Sequence, residues 1–146
     1  MLNSVLVDAG PLIALFDRSD KYHDSIKNFI RDKPYRFVST LAVITEVSYM
    51  LNFNVKVQLE FFEWILGRGL ILQEISNGAD IAGIMALCRK YADLPMDFAD
   101  ATLVVAAEKT GIRRIISIDS DFDVYRLPGK ERIENIFRQN PTQKGR

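Results

Sequence analysis

Cysteine and histidine are nearly absent, with one of each in 146 residues. A structural zinc site takes four Cys or His ligands, so no zinc centre is expected. Cys88 lies in an apolar helical pattern, where a thiol packs as a small hydrophobe. His23 lies on a charged helical segment and no nucleophile elbow is visible, which argues against a Ser-His-Asp triad.

Long hydrophobic runs are also missing. No apolar run approaches the ~20 residues of a membrane-spanning helix, and the N-terminus lacks the pattern of a secretory signal. Hydrophobic residues make up 48% and charged residues 26% of the chain, which is typical of a globular domain. We therefore expect a cytoplasmic protein with a single domain over residues 1–146, of which about 139–146 form a frayed tail.

Short apolar runs alternate with amphipathic helical segments along most of the chain. Strands are predicted at SVLVD, RFVS, LILQEI and IISI, and later at FDVYR and RIENIF. Helices are predicted between them, including one that Thr40 caps and one that starts at Asn77 or Asp80. This alternation predicts an α/β fold, a three-layer α/β/α sandwich around a mostly parallel sheet.

Four acidic residues fall where such a fold brings its elements together. Asp8 and Asp119 follow predicted strands, and Asp100 lies in the first turn of a predicted helix. Glu46 has apolar neighbours three and four residues away, so we expect it on a buried helical face. Parallel α/β sheets bind ligands at the carboxyl ends of their strands, and this edge is where the four acids should meet.

Each acid also has a purely structural interpretation. Asp97 can cap its helix, Asp100 can complement the helix dipole, and Asp119 or Asp121 can form a turn. A buried Glu46 can belong to a structural salt bridge. These separate roles leave the convergence of the acids unexplained.

Clustered carboxylates raise one another's pKa unless a cation lies among them. Hard oxygen ligands suit Mg²⁺ or Mn²⁺ rather than zinc. Such an ion activates water and neutralises charge on a phosphoryl oxygen. The acids therefore predict hydrolysis of phosphate esters.

Four segments carry a resemblance to a known family: VDAGPLIALFD, TEVSYML, LPMDFADATLVVAAEKTGIRRI and SIDSDF. In this order and spacing they resemble the motifs of PIN-domain nucleases, which include the VapC toxins of prokaryotic toxin–antitoxin pairs. The resemblance runs from about residue 4 to Arg126. It implies a Mg²⁺- or Mn²⁺-dependent endoribonuclease, frequent homodimers and, for a toxin, a cognate antitoxin protein.

The resemblance also implies roles for individual residues. The family's catalytic and metal-binding acids correspond to Asp8, Glu46, Asp100 and Asp119. The assignment is less certain for Asp97 and Asp121. Many relatives have Thr or Ser after the first acid, where this chain has Ala9, so the efficiency of the reaction is in question rather than its class.

Other functions remain open at this point. A stand-alone RNA-processing nuclease or a DNA nuclease would carry the same acids, because phosphate contacts do not identify the sugar. A PIN-like RNA-binding or assembly module would lack catalysis, and the loss of an acid would indicate it. A phospho-acceptor or phosphatase domain needs a second acid beside Asp8, and the next residues are Ala9 and Gly10.

Charge is balanced overall, with 19 basic and 19 acidic residues, but it is unevenly distributed. Residues 1–108 carry 10 basic and 14 acidic side chains, whereas residues 109–146 carry 9 and 5. This excess of positive charge beyond the acids predicts RNA phosphate contacts, with a merely solvating surface as the alternative. The predicted RNA-binding residues are Arg113, Arg114, Arg126 and Lys130.

Overall fold

The computed structural model describes residues 3–67, 69–94 and 96–137. In these residues five strands form one parallel sheet in the order β3-β2-β1-β4-β5. The strands are β1 Ser4–Val7, β2 Arg36–Ser39, β3 Ile71–Leu72, β4 Arg114–Ile116 and β5 Glu134–Asn135. The predicted fold class is confirmed, while the frayed tail predicted at about 139–146 lies outside the described residues.

Helices connect the strands and cover the sheet. They are α1 Ala9–Phe16, α2 His23–Arg31, α3 Leu41–Met50, α4 Val55–Leu66, α5 Gly78–Lys90, α6 Phe98–Thr110 and α7 Asp121–Val124. The chain moves one way along the sheet from β1 to β3 and the other way from β4 to β5. Right-handed crossovers therefore place α1–α4 on one face and α5–α6 on the other. None of the described helices is long and apolar enough to cross a membrane.

The central strand β1 is the middle of the core. Its residues Val5, Leu6 and Val7 are fully buried because helices cover both faces of the sheet. Leu6 pairs with Val38 of β2 on one side and Ile115 of β4 on the other. Burying each such side chain contributes about 1.5–3 kcal/mol, so β1 rigidly positions the residue that follows it.

Polar side chains fix where the helices begin. Thr40 Oγ1 accepts a hydrogen bond from Val43 N, and Asn77 Oδ1 accepts one from Asp80 N, so the predicted starts of α3 and α5 are confirmed. Asp97 Oδ1 accepts a hydrogen bond from Asp100 N at 2.7 Å and begins α6. Lys109, near the end of α6, forms an ion pair of 3.0 Å with Asp80 and ties α6 to α5. These contacts set the start and direction of α6.

The prediction of a strand at FDVYR is wrong, because residues Asp121–Val124 form the helix α7. Phe122 and Tyr125 are three residues apart, one helical turn, and both are buried. Their rings pack edge to face with centroids 5.2 Å apart. Arg126 at the end of the segment forms only an isolated antiparallel bridge with Arg132.

Gly111 ends α6 in a left-handed conformation with φ 83°, and its N–H donates to Ala107 O. We expect Gly111→Ala to lower the free energy of unfolding by roughly 1–2 kcal/mol, because an L side chain is strained at this φ. An added Cβ meets nothing within 4 Å, so the cost comes from the backbone alone. Urea unfolding of the wild type and Gly111→Ala measures this loss in the free energy of unfolding.

Gly78→Ala is the matched control, because its Cβ also meets nothing within 4 Å but φ is not positive there. In the first turn of α5 this change should be neutral or stabilising by up to about 1 kcal/mol. Equal losses of stability in the two variants would contradict the role assigned to Gly111.

Candidate functional site

The site lies where the order of the strands reverses. β1 and β4 are neighbours in the sheet, although the chain runs through β2 and β3 between them. The crevice beyond the carboxyl ends of two such strands is the usual ligand site of an open α/β sheet. Asp8 follows β1 here, and its backbone N–H donates to Ile116 O of β4 at 3.1 Å.

Asp8 is almost completely buried, with 6% of its surface exposed. One carboxylate oxygen accepts a hydrogen bond from Ala9 N at 2.8 Å, and the other accepts one from the Ser117 hydroxyl at 3.0 Å. Burial raises the pKa of Asp8 to about 7, and the negative charges of Asp119 and Glu46 add to this effect. The two hydrogen bonds oppose the shift but do not cancel it.

Ser117 is held in place by a residue of the next strand. Asn135 in β5 accepts a hydrogen bond from Ser117 N at 3.2 Å and donates one to Ser117 O at 3.0 Å. Both residues are buried. Although Ala9 provides no hydroxyl after Asp8, Ser117 places a hydroxyl group against the same carboxylate.

Asp100 is buried at the start of α6, with 7% exposed. The Tyr125 hydroxyl donates to its Oδ2 at 3.1 Å. Burial, together with the charges of Asp8 and Asp97, raises the pKa of Asp100 to about 8. Burial and the charge of Asp100 also raise the pKa of Tyr125, so its hydroxyl keeps the proton that it donates.

Glu46 lies in a different environment from the one predicted. It is exposed on α3, whereas Val43, Ile44 and Val47 are the buried residues of that helix. Of the four apolar neighbours behind the prediction, Val43 is buried and Ala42 half-buried, but Tyr49 and Met50 are 71% and 52% exposed. The expectation of a buried Glu46 is therefore wrong, because Glu46 lies on the side of the helix that Tyr49 and Met50 leave at the surface.

Glu46 nevertheless belongs to the acidic group. Its pKa is raised by partial desolvation and then by the charges of Asp97 and Asp119. The pKa of Asp121 is raised in the same way, again with Asp119 and Asp97 as the charged neighbours. The structure thus brings all six predicted acids, Asp8, Glu46, Asp97, Asp100, Asp119 and Asp121, to one edge of the sheet.

The arrangement is suited to a hard cation in chemistry and charge. The side chains that converge here are carboxylates, and burial followed by their mutual repulsion raises the pKa of Asp8 and Asp100. In the part of the chain that the structure describes, however, no three Asp, Glu, His or Cys side chains form a ready metal-binding group. Asp119 Oδ1, for example, accepts a hydrogen bond from Asp121 N at 3.0 Å. Binding would draw the carboxylates closer together.

The predicted RNA-binding residues are not all at this edge. Arg113 and Arg114 lie at the opposite, N-terminal end of β4. Arg113 donates to backbone carbonyls and lies 2.9 Å from Glu131, and Arg114 stacks 5.0 Å from the centre of the Tyr35 ring.

Arg126 is closer to the acids along the chain, since it follows the tyrosine that contacts Asp100, and Lys130 is exposed in a 3₁₀ turn. RNA binding by the four basic residues stays a prediction.

Three residues of the site were not identified from the sequence: Ser117, Tyr125 and Asn135. Ser117 had a usable signal, because it lies two residues before Asp119 at the end of a predicted strand. Tyr125 was missed because its segment was interpreted as a strand, which hid its one-turn spacing from Phe122. Asn135 contacts Ser117 only through the pairing of β4 with β5, which no local pattern shows.

Known proteins show the same family and fold. The PIN domain family model matches residues 5–127. A curated relative, Ribonuclease VapC26 of Mycobacterium tuberculosis, is 25% identical over 124 residues, which cover 79% of this chain and 86% of the relative.

Two solved structures share the fold at low sequence identity. The crystal structure of Mycobacterium tuberculosis VapC20, described as a Sarcin-Ricin loop cleaving toxin, has a TM-score of 0.73 at 19% identity and covers 82% of this chain and 92% of that one. VapBC2 from Rickettsia felis, bound to a promoter DNA fragment, has a TM-score of 0.60 at 14% identity, with coverage of 90% and 98%.

The repulsion within the acidic group predicts a response to metal. Binding to the native state alone stabilises it by ~2.7 kcal/mol at a hundredfold excess over Kd. For a domain of this size we therefore expect Mn²⁺ or Mg²⁺ to raise the melting temperature by roughly 5–10 °C. Asp100→Asn should raise the melting temperature in EDTA and reduce the response to metal, because it removes a carboxyl group whose ionisation the folded state opposes. Calorimetry of both proteins measures the two effects.

Asp93→Asn is the control, because it removes the same charge from an exposed loop. It should change neither the melting temperature in EDTA nor the response to metal. If Asp100→Asn is destabilised and the wild type ignores both metals, the four acids have separate structural roles.

Proposed function

The chain belongs to the PIN domain family, and from this premise we propose that it is a metal-dependent endoribonuclease. It would hydrolyse RNA phosphodiester bonds as the toxin of a type II toxin–antitoxin pair, with residues 1–146 as one nuclease domain. The observation that carries the proposal is the buried, mutually repelling pair Asp8 and Asp100 at the reversal point of the sheet. The relatives named as a ribonuclease and as a cleaving toxin support it.

The acids have distinct positions in the proposed site. Asp8 and Asp100 are the buried ligands, and the exposed Glu46 and Asp119 complete the group from α3 and from the end of β4. Asp97 and Asp121 lie at its margin. A Mg²⁺ or Mn²⁺ ion bound here would supply an activated water molecule and neutralise charge on the phosphate.

The surrounding residues orient the two buried acids. Ser117 donates to Asp8, and Asn135 fixes Ser117 from the neighbouring strand. Tyr125 donates to Asp100 from the segment after α7. Hydrogen bonds from such outer residues hold metal ligands in orientation and are often as important as the ligands for affinity.

We further propose an antitoxin protein and a second copy of this chain as partners. Apolar side chains on α3, on α4 and in the turn between them are unusually exposed: Tyr49 71%, Met50 52%, Phe53 60%, Leu59 53% and Leu66 84%. Exposed apolar surface of this kind favours protein contact. The structural likeness to VapBC2 supports the antitoxin. A toxin that cleaves RNA would act in the cytoplasm.

Cleavage of RNA is the direct test. We expect the purified protein to cut RNA with Mg²⁺ or Mn²⁺ and to stop in EDTA. Asp8→Asn and Asp100→Asn should each lower the rate by roughly 100-fold or more, because a bound metal stabilises the transition state by several kcal/mol. The rate is measured with end-labelled RNA at fixed metal concentration.

Asp93→Asn controls for the loss of a negative charge and should cleave like the wild type. Folded Asp8→Asn and Asp100→Asn variants that cleave normally would exclude the acidic group as the active site. If the wild type binds RNA but never cleaves it, the chain is a binding module without catalysis.

The basic residues give a second test. We expect Arg126→Gln to reduce the slope of log K against log salt for single-stranded RNA by about 0.7, the value for one lost phosphate contact. Arg114→Gln should have a smaller effect, because Arg114 lies at the opposite end of β4 from the acids. Binding is measured by fluorescence anisotropy at several salt concentrations. Equal slopes for the wild type and Arg126→Gln would show that Arg126 makes no phosphate contact and is only a solvated surface charge.

A further inference from the structure

A second cavity adjoins the acidic edge. It has a volume of about 450 Å³ and lies between the N-terminal ends of α3 and α6 and the segment after β3. This is within the size range of small-ligand sites. Its lining includes Leu41, Ala42, Leu72, Gln73, Glu74 and Phe98.

The cavity and the acids share two helices. Thr45 lines the cavity, and Glu46 is the next residue on α3. Phe98 lines the cavity from α6, directly after Asp97 and two residues before Asp100. The lining of the cavity and the acidic group therefore include neighbouring residues on both helices.

Phe98 has no core role that explains it. The residues that follow it on α6, from Ala99 to Ala107, are all buried, whereas Phe98 is 56% exposed. Leu41 and Leu72 of the same cavity are 68% and 42% exposed. An aromatic ring at a helix start, beside two exposed leucines, offers a flat apolar surface.

The polar groups of the cavity indicate what it would hold. Glu74 is an exposed residue of the lining, and its negative charge disfavours a phosphate or an acidic peptide. Gln73 is a second polar residue of the lining, and its Nε2 donates to Glu74 O at 3.4 Å. An aromatic face together with an amide and a carboxylate matches a nucleobase, which stacks through its π-face and forms hydrogen bonds at its edge.

We propose that this cavity binds one unpaired base of the RNA next to the cleaved bond. Phe98 stacks on the base, and Gln73 and Glu74 contact its edge, so the cavity sets the sequence preference. The proposal rests on the nuclease function proposed above and identifies a part of the site that the acids do not provide.

The test uses single-stranded RNA that carries 2-aminopurine at one position at a time, bound to the protein in EDTA so that it is not cleaved. Stacking on Phe98 should quench the fluorescence at one position of the bound strand. Phe98→Ala should abolish this quenching and weaken binding by about 5- to 100-fold. Phe98→Tyr keeps an aromatic ring, so it should retain both the fluorescence quenching and the affinity for RNA.

Two further variants make the test specific. Met85→Ala removes an apolar side chain that is 49% exposed on α5, and it should leave quenching and affinity unchanged. Ala42→Phe fills the cavity from α3 and should reduce both, as Phe98→Ala does. Thermal melts confirm that each variant is folded.

The cleavage assay separates this proposal from the nuclease function. With Mn²⁺, Phe98→Ala should still cleave, with a raised KM and a weaker base preference beside the cut. If Phe98→Ala cleaves and binds RNA like the wild type, the proposal of a base-binding site is wrong. The cavity would then bind an apolar side chain of a protein partner. The absence of quenching at every position also overturns it. Quenching without any cleavage by the wild type would instead overturn the nuclease function.

Discussion

The repulsion between two buried carboxylates, Asp8 and Asp100, is the constraint on which the site depends. Both groups have their pKa raised toward or above neutrality, first by burial and then by neighbouring negative charge. Such a pair lowers the stability of a fold unless a cation compensates for it. The fold must therefore supply enough rigidity to hold the two acids in place. The central strand β1 and the buried helix α6 supply it, because both are packed into the core over almost their whole length.

The same constraint explains the polar residues around the pair. Asp8 and Asp100 each receive a side-chain hydroxyl donor, from Ser117 and Tyr125 respectively. A buried hydroxyl must itself be fixed to be a reliable donor. Ser117 is fixed by Asn135, and Tyr125 packs against Phe122. Ser117 and Tyr125, which follow β4, therefore limit how far each carboxylate can turn, and Asn135 in β5 does so indirectly through Ser117.

The sequence was sufficient to predict much of the fold and to select the six acids. Strand ends and helix starts are local features, and the sites of Asp8, Asp97 and Asp100 follow from them. What failed depended on tertiary structure. Tyr49 and Met50 near Glu46 belong to a surface rather than the core, so its burial was predicted wrongly. The contact of Ser117 with Asn135 spans 18 residues and exists only because two strands pair. Arg113, by contrast, precedes the predicted strand IISI, and Asp119 follows it, so the sequence already placed this arginine at the opposite end of the strand from the acids.

The first turn of α6 contains both a buried charged residue and an exposed aromatic residue. A helix in a globular domain normally buries its apolar residues and exposes its charged ones. Here the first turn does the opposite, since Asp100 is buried and Phe98 is exposed. Asp97 caps the helix and keeps this turn intact despite both exceptions. Because Asp100 and Phe98 are two residues apart, one stable helix end can contribute a carboxylate to the acidic group and an aromatic ring to the cavity beside it. Natural sequences accept such local conflicts mainly where a ligand resolves them. A cation would resolve the first conflict and a stacked base the second.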